Sequence, residues 1–182
     1  MSDPNLDGLN FSRRVPVGED RERAVCDTCG FINYVNPKIV AGSVVTYGDQ
    51  ILICKRAIEP RSGFWTLPAG FMEEGESVEE AAMREAQEEA YAKIEIDRLL
   101  AVYSIPRISQ VQIMYRARLT DPEIAPGPES LDVKLVDWED IPWNALAFPS
   151  VYWALKAWRD TKDLTDFAPF SNPPNTDHMT RG

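Results

Sequence analysis

A chain of 182 residues with 44% hydrophobic and 26% charged residues is long enough for one domain with short appendages. Its formal net charge of -10 argues against non-specific binding to nucleic acid or to anionic membranes. No apolar stretch approaches the ~20 residues of a membrane span, and no apolar signal-peptide core follows the N-terminus, so we expect a cytoplasmic protein.

The predicted elements divide the chain into three parts. Residues 1–36 form an N-terminal extension, residues 37–160 the main domain and residues 161–182 a flexible C-terminal tail. In the domain, the turn signal Tyr47-Gly48-Asp49 predicts a hairpin, and Ser77 followed by Glu80 predicts the capped start of a helix. The remaining patterns predict strands at 99–105, 111–119 and 133–138 and a final helix at 149–160. Strands mixed with two helices indicate an α/β fold with helices on the faces of a mixed sheet.

The cysteine and histidine content narrows the possible chemistry. Cys26, Cys29 and Cys54 are too few for a disulfide framework, and Cys54 reads as a buried small hydrophobe. The only histidine of the sequence, His178, lies in the predicted tail. A Ser–His–Asp or Cys–His mechanism, or a His-ligated catalytic zinc, would need that histidine to be fixed. We therefore expect chemistry based on carboxylates, lysine or arginine, tyrosine, cysteine or a metal ion.

Three glutamates on the predicted helix 77–90 carry the main functional signal. Glu85, Glu88 and Glu89 stand at i, i+3 and i+4 and so share one helical face, where like charges repel. A solvated acidic face is one reading. The other is an oxygen cage for Mg²⁺ or Mn²⁺, to which the backbone carbonyls of Ala69 or Gly70 in the preceding loop could contribute further oxygen ligands.

The same segment resembles the signature of the Nudix hydrolase family. That signature has a glycine, five residues, a glutamate, seven residues and then Arg-Glu-(aliphatic)-x-Glu-Glu-x-Gly-(aliphatic). The sequence matches it at Gly70, Glu76, Arg84, Glu85, Ala86, Glu88 and Glu89. It departs from it at Tyr91, which stands where the family has glycine. Because a left-handed tyrosine costs about 1–2 kcal/mol, we expect the helix to end in a different kind of turn.

The resemblance implies an α/β/α sandwich with a mixed sheet, a homodimer and Mg²⁺-dependent or Mn²⁺-dependent hydrolysis of a diphosphate. The implied metal ligands are Glu85, Glu88 and Glu89, with Glu76 as a supporting ligand. Arg84 would orient these glutamates by ion pairing. The general base is left open between Glu129, Glu88 and Glu89, and a surface role for Glu129 is the alternative.

Further segments resemble the branch that joins an N-terminal zinc ribbon to enzymes such as ADP-ribose, NADH and FAD pyrophosphatases. They include the Cys26-x-x-Cys29-Gly30 pair and the run from Gly63 to Phe71. A structural zinc site commonly needs four ligands, so this ribbon is degenerate and we do not expect it to bind zinc within one chain. Zinc shared between two chains stays open.

The substrate implied by this branch is a small nucleoside diphosphate derivative, namely ADP-ribose or a dinucleotide, cleaved to release AMP. A non-catalytic sensor for such a nucleotide is the alternative, motivated by Tyr91 and the incomplete ribbon. Three aromatic residues are predicted to stack on a base, with core packing as the alternative. Three arginines are predicted to contact phosphate, with surface solvation as the alternative. These candidates are Phe64, Trp65, Tyr115, Arg56, Arg61 and Arg107.

Overall fold

The computed structural model describes residues 10–176, and the chain divides into two compact units, Met1–Asn36 and Pro37–Gly182. His178 lies outside the described residues. Between residues 10 and 176, no helix has the length and apolar character required to cross a membrane.

The first unit is a small antiparallel sheet in the order β1-β2-β3, formed by Phe11–Arg14, Arg23–Cys26 and Ile32–Asn33. Its turn holds two free thiols, those of Cys26 and Cys29. The Gly30 N–H donates to the Cys26 carbonyl at 2.9 Å, and Gly30 has a φ of 75°, which glycine adopts without strain. Backbone N–H groups of Cys29 and Thr28 lower the pKa of the Cys26 thiol.

The second unit is built on a seven-stranded mixed sheet. Its main path runs β10-β5-β4-β9-β8, with β6 paired to β5 and β7 paired to β4. Only β4 and β9 are parallel, and the other pairs are antiparallel. The strands are β4 (Lys38–Tyr47), β5 (Gln50–Arg56), β6 (Trp65–Thr66), β7 (Ala69–Phe71), β8 (Ile94–Ile105), β9 (Gln110–Leu119) and β10 (Ser130–Val136).

Two helices, α1 (Val78–Ala90) and α2 (Pro149–Thr161), cover opposite faces of this sheet. Side chains alternate along β4, so Val44 packs in the cluster with α2 and its neighbour Val45 in the cluster with α1. Leu52 and Ile53 of β5 divide in the same way. The predicted α/β/α sandwich with a mixed sheet is confirmed.

The start of α1 is as the sequence predicts, but its end differs. Ser77 caps the helix, accepting from the Glu80 N–H at 3.2 Å while the Glu80 carboxylate accepts from the Ser77 N–H at 2.7 Å. Tyr91 ends the helix with φ 49° and ψ 26°. The expectation of a different turn is therefore wrong. The left-handed turn is retained because the Ala92 N–H reaches the Ala86 carbonyl at 3.1 Å and closes the helix end.

Residues after α2 pack on the sheet, unlike the free segment that the sequence predicts. The Phe170 N–H donates to the Leu100 carbonyl, and its carbonyl accepts from the Val102 N–H, both at 2.9 Å. The Asn172 amide pairs with both backbone groups of Ser104. Phe167 and Phe170, which pack against the core cluster around α2, anchor this stretch.

Candidate active site

A cavity of about 930 Å³ in the second unit brings together parts of the chain that are far apart in sequence. One wall consists of charged residues of α1 and the backbone of β7. The other consists mainly of apolar residues at the start of α2 and at the facing ends of β8 and β9, together with the polar side chains of Arg107, Gln110 and Gln112. The cavity therefore has an acidic end and an apolar end, which lie towards helices on opposite faces of the sheet.

Arg84 organises the acidic end through five hydrogen bonds. Its Nε and Nη2 donate to the two carboxylate oxygens of Glu76 at 3.0 and 2.8 Å. Its Nη1 donates to Glu85 at 2.7 Å and to Glu88 at 2.9 Å, and its Nη2 also donates to the Phe71 carbonyl at 2.9 Å. Bonding to Arg84 lowers the pKa of Glu76 to about 2. One guanidinium thus holds three carboxylates of the signature in a fixed arrangement.

Glu85 and Glu89 are buried carboxylates, with exposed fractions of 8% and 5%. Burial and the charge of Glu85 together raise the pKa of Glu89 to about 8, although the Ala69 N–H at 3.3 Å and the charge of Arg56 act in the opposite direction. Burial also raises the pKa of Glu85, against the effect of Arg84. The two ionised carboxylates are therefore costly here without added positive charge.

Gly70 lies directly under one of these carboxylates. A Cβ built on Gly70 would collide with the carboxylate of Glu85. The φ of Gly70 is not in the left-handed region, so the glycine matters here because it leaves space for the Glu85 carboxylate, which any side chain would displace.

Glu129 reaches the cavity through a loop docked on the end of α1. The Gly127 N–H donates to the Glu89 carbonyl and the Ala125 N–H to the Ala90 carbonyl, both at 3.0 Å. A Cβ on Gly127 would collide with the Glu88 carbonyl oxygen. The loop so placed puts Glu129 on the cavity wall, where its charge acts on both Glu85 and Glu89.

The apolar end of the cavity contains residues that were not predicted from the sequence to contact a ligand. Leu67, Met114 and Trp153 line it and belong to the core cluster around α2. Arg56 lies beside this end, with its guanidinium 5.2 Å from the centre of the Phe148 ring. Neither Phe148 nor Trp153 has a sequence signal that separates it from the core face of α2, so only the three-dimensional arrangement identifies them.

The six predicted substrate contacts divide into two groups. Arg56 and Arg107 line the cavity, whereas the other four do not. Tyr115 is buried against α1 with 6% exposure, because its position on β9 points it to the opposite face of the sheet. Trp65 packs against the core cluster around α2, and Phe64 stacks with Arg61 at 5.1 Å. For Phe64, Trp65, Tyr115 and Arg61, contact with a ligand in this cavity is therefore not supported.

No three acidic, cysteine or histidine side chains in residues 10–176 converge tightly enough to form a ready-made metal cage. The reason is visible at Arg84, which draws Glu76, Glu85 and Glu88 to its own nitrogens. Glu89 is not among its partners.

Comparison with known proteins accounts for this arrangement. A model described as NUDIX domain matches residues 37–158, which is most of the chain. The chain belongs to the Nudix hydrolase family. A second model, of the Nudix N-terminal zinc ribbon, matches residues 8–35, although this part of the Nudix hydrolase holds only Cys26 and Cys29 of the cysteines that such a ribbon uses.

Solved and curated relatives cover nearly the whole Nudix hydrolase. It is similar to the crystal structure of a NUDIX hydrolase from Nitrosomonas europaea, with 41% identity, a TM-score of 0.86 and coverage of 94% of this chain and 98% of that one. It is 26% identical over 160 residues to an ADP-ribose pyrophosphatase from Methanocaldococcus jannaschii, covering 86% of this chain and 90% of the relative.

Another group of relatives is longer. The NAD-capped RNA hydrolase NudC of Stutzerimonas stutzeri is 32% identical over 116 residues, which are 61% of this chain but only 40% of NudC. The Nudix hydrolase described here thus corresponds to less than half of that protein.

Proposed function

We propose that this Nudix hydrolase cleaves the pyrophosphate bond of a small nucleoside diphosphate derivative, with ADP-ribose as the leading candidate, and releases AMP. The observation that carries the proposal is a single cavity of about 930 Å³ that is lined at its acidic end by Glu85, Glu88 and Glu89 and continues into an apolar end. The likeness to an ADP-ribose pyrophosphatase over most of both chains supports the choice of substrate.

The residues at the acidic end fit a hard divalent cation, Mg²⁺ or Mn²⁺. The donors are all oxygens, which such cations prefer. Glu89 is buried with one hydrogen bond, from the Ala69 N–H, so its carboxylate has acceptor capacity that the protein does not fill. We propose that Glu85, Glu88 and Glu89 hold the metal, with Glu76 and the carbonyls of Ala69 or Gly70 as further oxygen donors.

When bound, the cation would supply positive charge to phosphate oxygens and lower the pKa of a coordinated water. The chain's own residues have separate tasks. Arg84 positions the glutamates, and Arg56 and Arg107, both on the cavity wall, are proposed to contact phosphate. Glu129 is proposed as the general base because the docked loop 125–129 holds it in the cavity without a bond to Arg84. Of the other two candidates, Glu88 is paired with Arg84, and Glu89 is buried and assigned to the metal.

The test is a substrate panel assayed with Mg²⁺ and with Mn²⁺, with products separated by chromatography. We expect AMP from ADP-ribose, and a loss of roughly 100-fold or more in kcat for Glu85→Gln and Glu89→Gln. Glu95→Gln is the matched control, because Glu95 is an exposed glutamate on β8 that does not line the cavity. It should retain full turnover.

Two results would contradict the proposal. Full activity of Glu85→Gln and Glu89→Gln would move the chemistry to another site. Binding of ADP-ribose by the wild-type protein without release of AMP would instead support the sensor. A Glu129→Gln variant with unchanged kcat and pH profile would rule out Glu129 as the base and leave Glu88 and Glu89 as the candidates.

A further inference from the structure

The start of α2 opens into the apolar end of the cavity without a side-chain cap. Its N-cap residue is Phe148, whose side chain cannot accept a hydrogen bond, and Pro149 at the next position has no N–H. The Val151 N–H is bonded to the Phe148 carbonyl at 3.1 Å. The Ser150 N–H has no backbone acceptor in the described part of the chain, so this helix start retains a free donor and the positive end of its dipole.

Ser150 itself provides a second, independent observation. Its exposed fraction is only 8%, and it lines the cavity. Among residues 10–176, no partner for its hydroxyl is found, in contrast to the buried hydroxyl of Thr161, which donates to the Ala157 carbonyl at 2.8 Å. Unlike the Ser43 hydroxyl, which is buried and unpartnered, the Ser150 hydroxyl can be reached from the cavity and is available to a ligand there.

The surroundings of Ser150 favour a flat, weakly polar ligand group over a phosphate. Leu67, Met114, Val151 and Trp153 line the same end of the cavity and belong to the core cluster around α2. Burying a phosphate among such side chains would be expensive, whereas a planar ring would gain from their contact. Arg56 lies beside Phe148 and its charge also acts on Glu89, so the diphosphate that it is proposed to contact would lie between this end and the acidic end.

We propose that Ser150 and the uncapped start of α2 donate hydrogen bonds to an acceptor atom of the heterocyclic base of the substrate. Ser150 would thereby be a specificity-determining residue. This inference rests on the proposed function for the identity of the ligand, but it is tested by binding, without turnover.

The experiment measures binding of AMP and of ribose 5-phosphate by calorimetry, at constant Mg²⁺, to wild type and to Ser150→Ala. Ribose 5-phosphate carries the same phosphate and sugar without the base. We expect Ser150→Ala to weaken AMP roughly 3- to 10-fold and to leave ribose 5-phosphate unchanged, since one neutral hydrogen bond is lost. Ser43→Ala is the matched control, because Ser43 is buried, unpartnered and outside the cavity. It should bind both ligands as the wild type does.

A second arm varies the ligand in case the substitution perturbs the fold. Deaza analogues of AMP each replace one ring-nitrogen acceptor by carbon, and one of them should bind the wild type more weakly than AMP does. Equal loss of AMP and ribose 5-phosphate in Ser150→Ala, no loss at all, or wild-type affinity for every deaza analogue would overturn the inference. Base-dependent binding of AMP by a protein that hydrolyses no diphosphate would overturn the proposed function alone.

Discussion

Replacement of Arg84 by lysine is a sharp test of how the acidic end is built. Arg84 donates five hydrogen bonds, whereas a lysine ammonium has three donors at one point, so at least two bonds are lost. Each charge-assisted bond is worth about 1.5–3 kcal/mol. Because the Arg84 side chain is one quarter exposed, water recovers part of this, and we expect a net loss of about 2 kcal/mol in the free energy of unfolding.

The activity of Arg84→Lys should fall further than its stability, because displaced glutamates change the site directly. We expect a roughly 10- to 100-fold loss in kcat, as is typical of residues that orient metal ligands. Urea denaturation measures the first quantity, and the release of AMP over a Mg²⁺ titration measures the second. If Arg84→Lys unfolds at the wild-type urea midpoint and needs no more Mg²⁺ for full activity, the guanidinium does not organise the site.

Three further predictions follow from other features of the site. Tyr91→Gly should stabilise the protein by about 0.5–1 kcal/mol in urea denaturation, because relief of the left-handed strain exceeds the entropy cost of glycine; lower stability would refute this. Gly127→Ala should push the loop carrying Glu129 away from α1 and reduce kcat far more than thermal stability; a variant with wild-type kcat would show that the loop is not needed for catalysis. The pKa of Glu89 is raised to about 8, so ionisation of Glu89 destabilises the metal-free fold as the pH rises from the ordinary glutamate pKa towards 8. Below that pH, a metal ion that binds Glu89 must displace a proton. The rise in Tm caused by Mg²⁺ should therefore increase from pH 6 to pH 8, and a constant rise would contradict it.

The parts of the structure that follow local rules could be predicted from the sequence. The hairpin around Gly48 and the capping box of Ser77 depend on residues a few positions apart, and both are found. The spacing of Glu85, Glu88 and Glu89 likewise places these three carboxylates close together on α1. The chain's own pattern therefore located the acidic end of the cavity.

The apolar end of the cavity could not be predicted from the sequence in this way. Trp153 reads as an ordinary core residue of α2 and Phe148 as an apolar residue before it, and only the packing of α2 beside β8 and β9 brings both to a cavity. Tyr115 shows the opposite error. Its ring suggested a stacking role, but the alternation of side chains along β9 turns it away under α1.

The segment that follows α2 also covers part of one edge of the sheet. β8 is the last strand of the sheet, and pairing of two such edges is a common way for sheets to join. Phe170 and Asn172 already occupy the backbone groups of the central part of this edge. Strand addition along residues 100–104 of β8 would therefore require this segment to be displaced first.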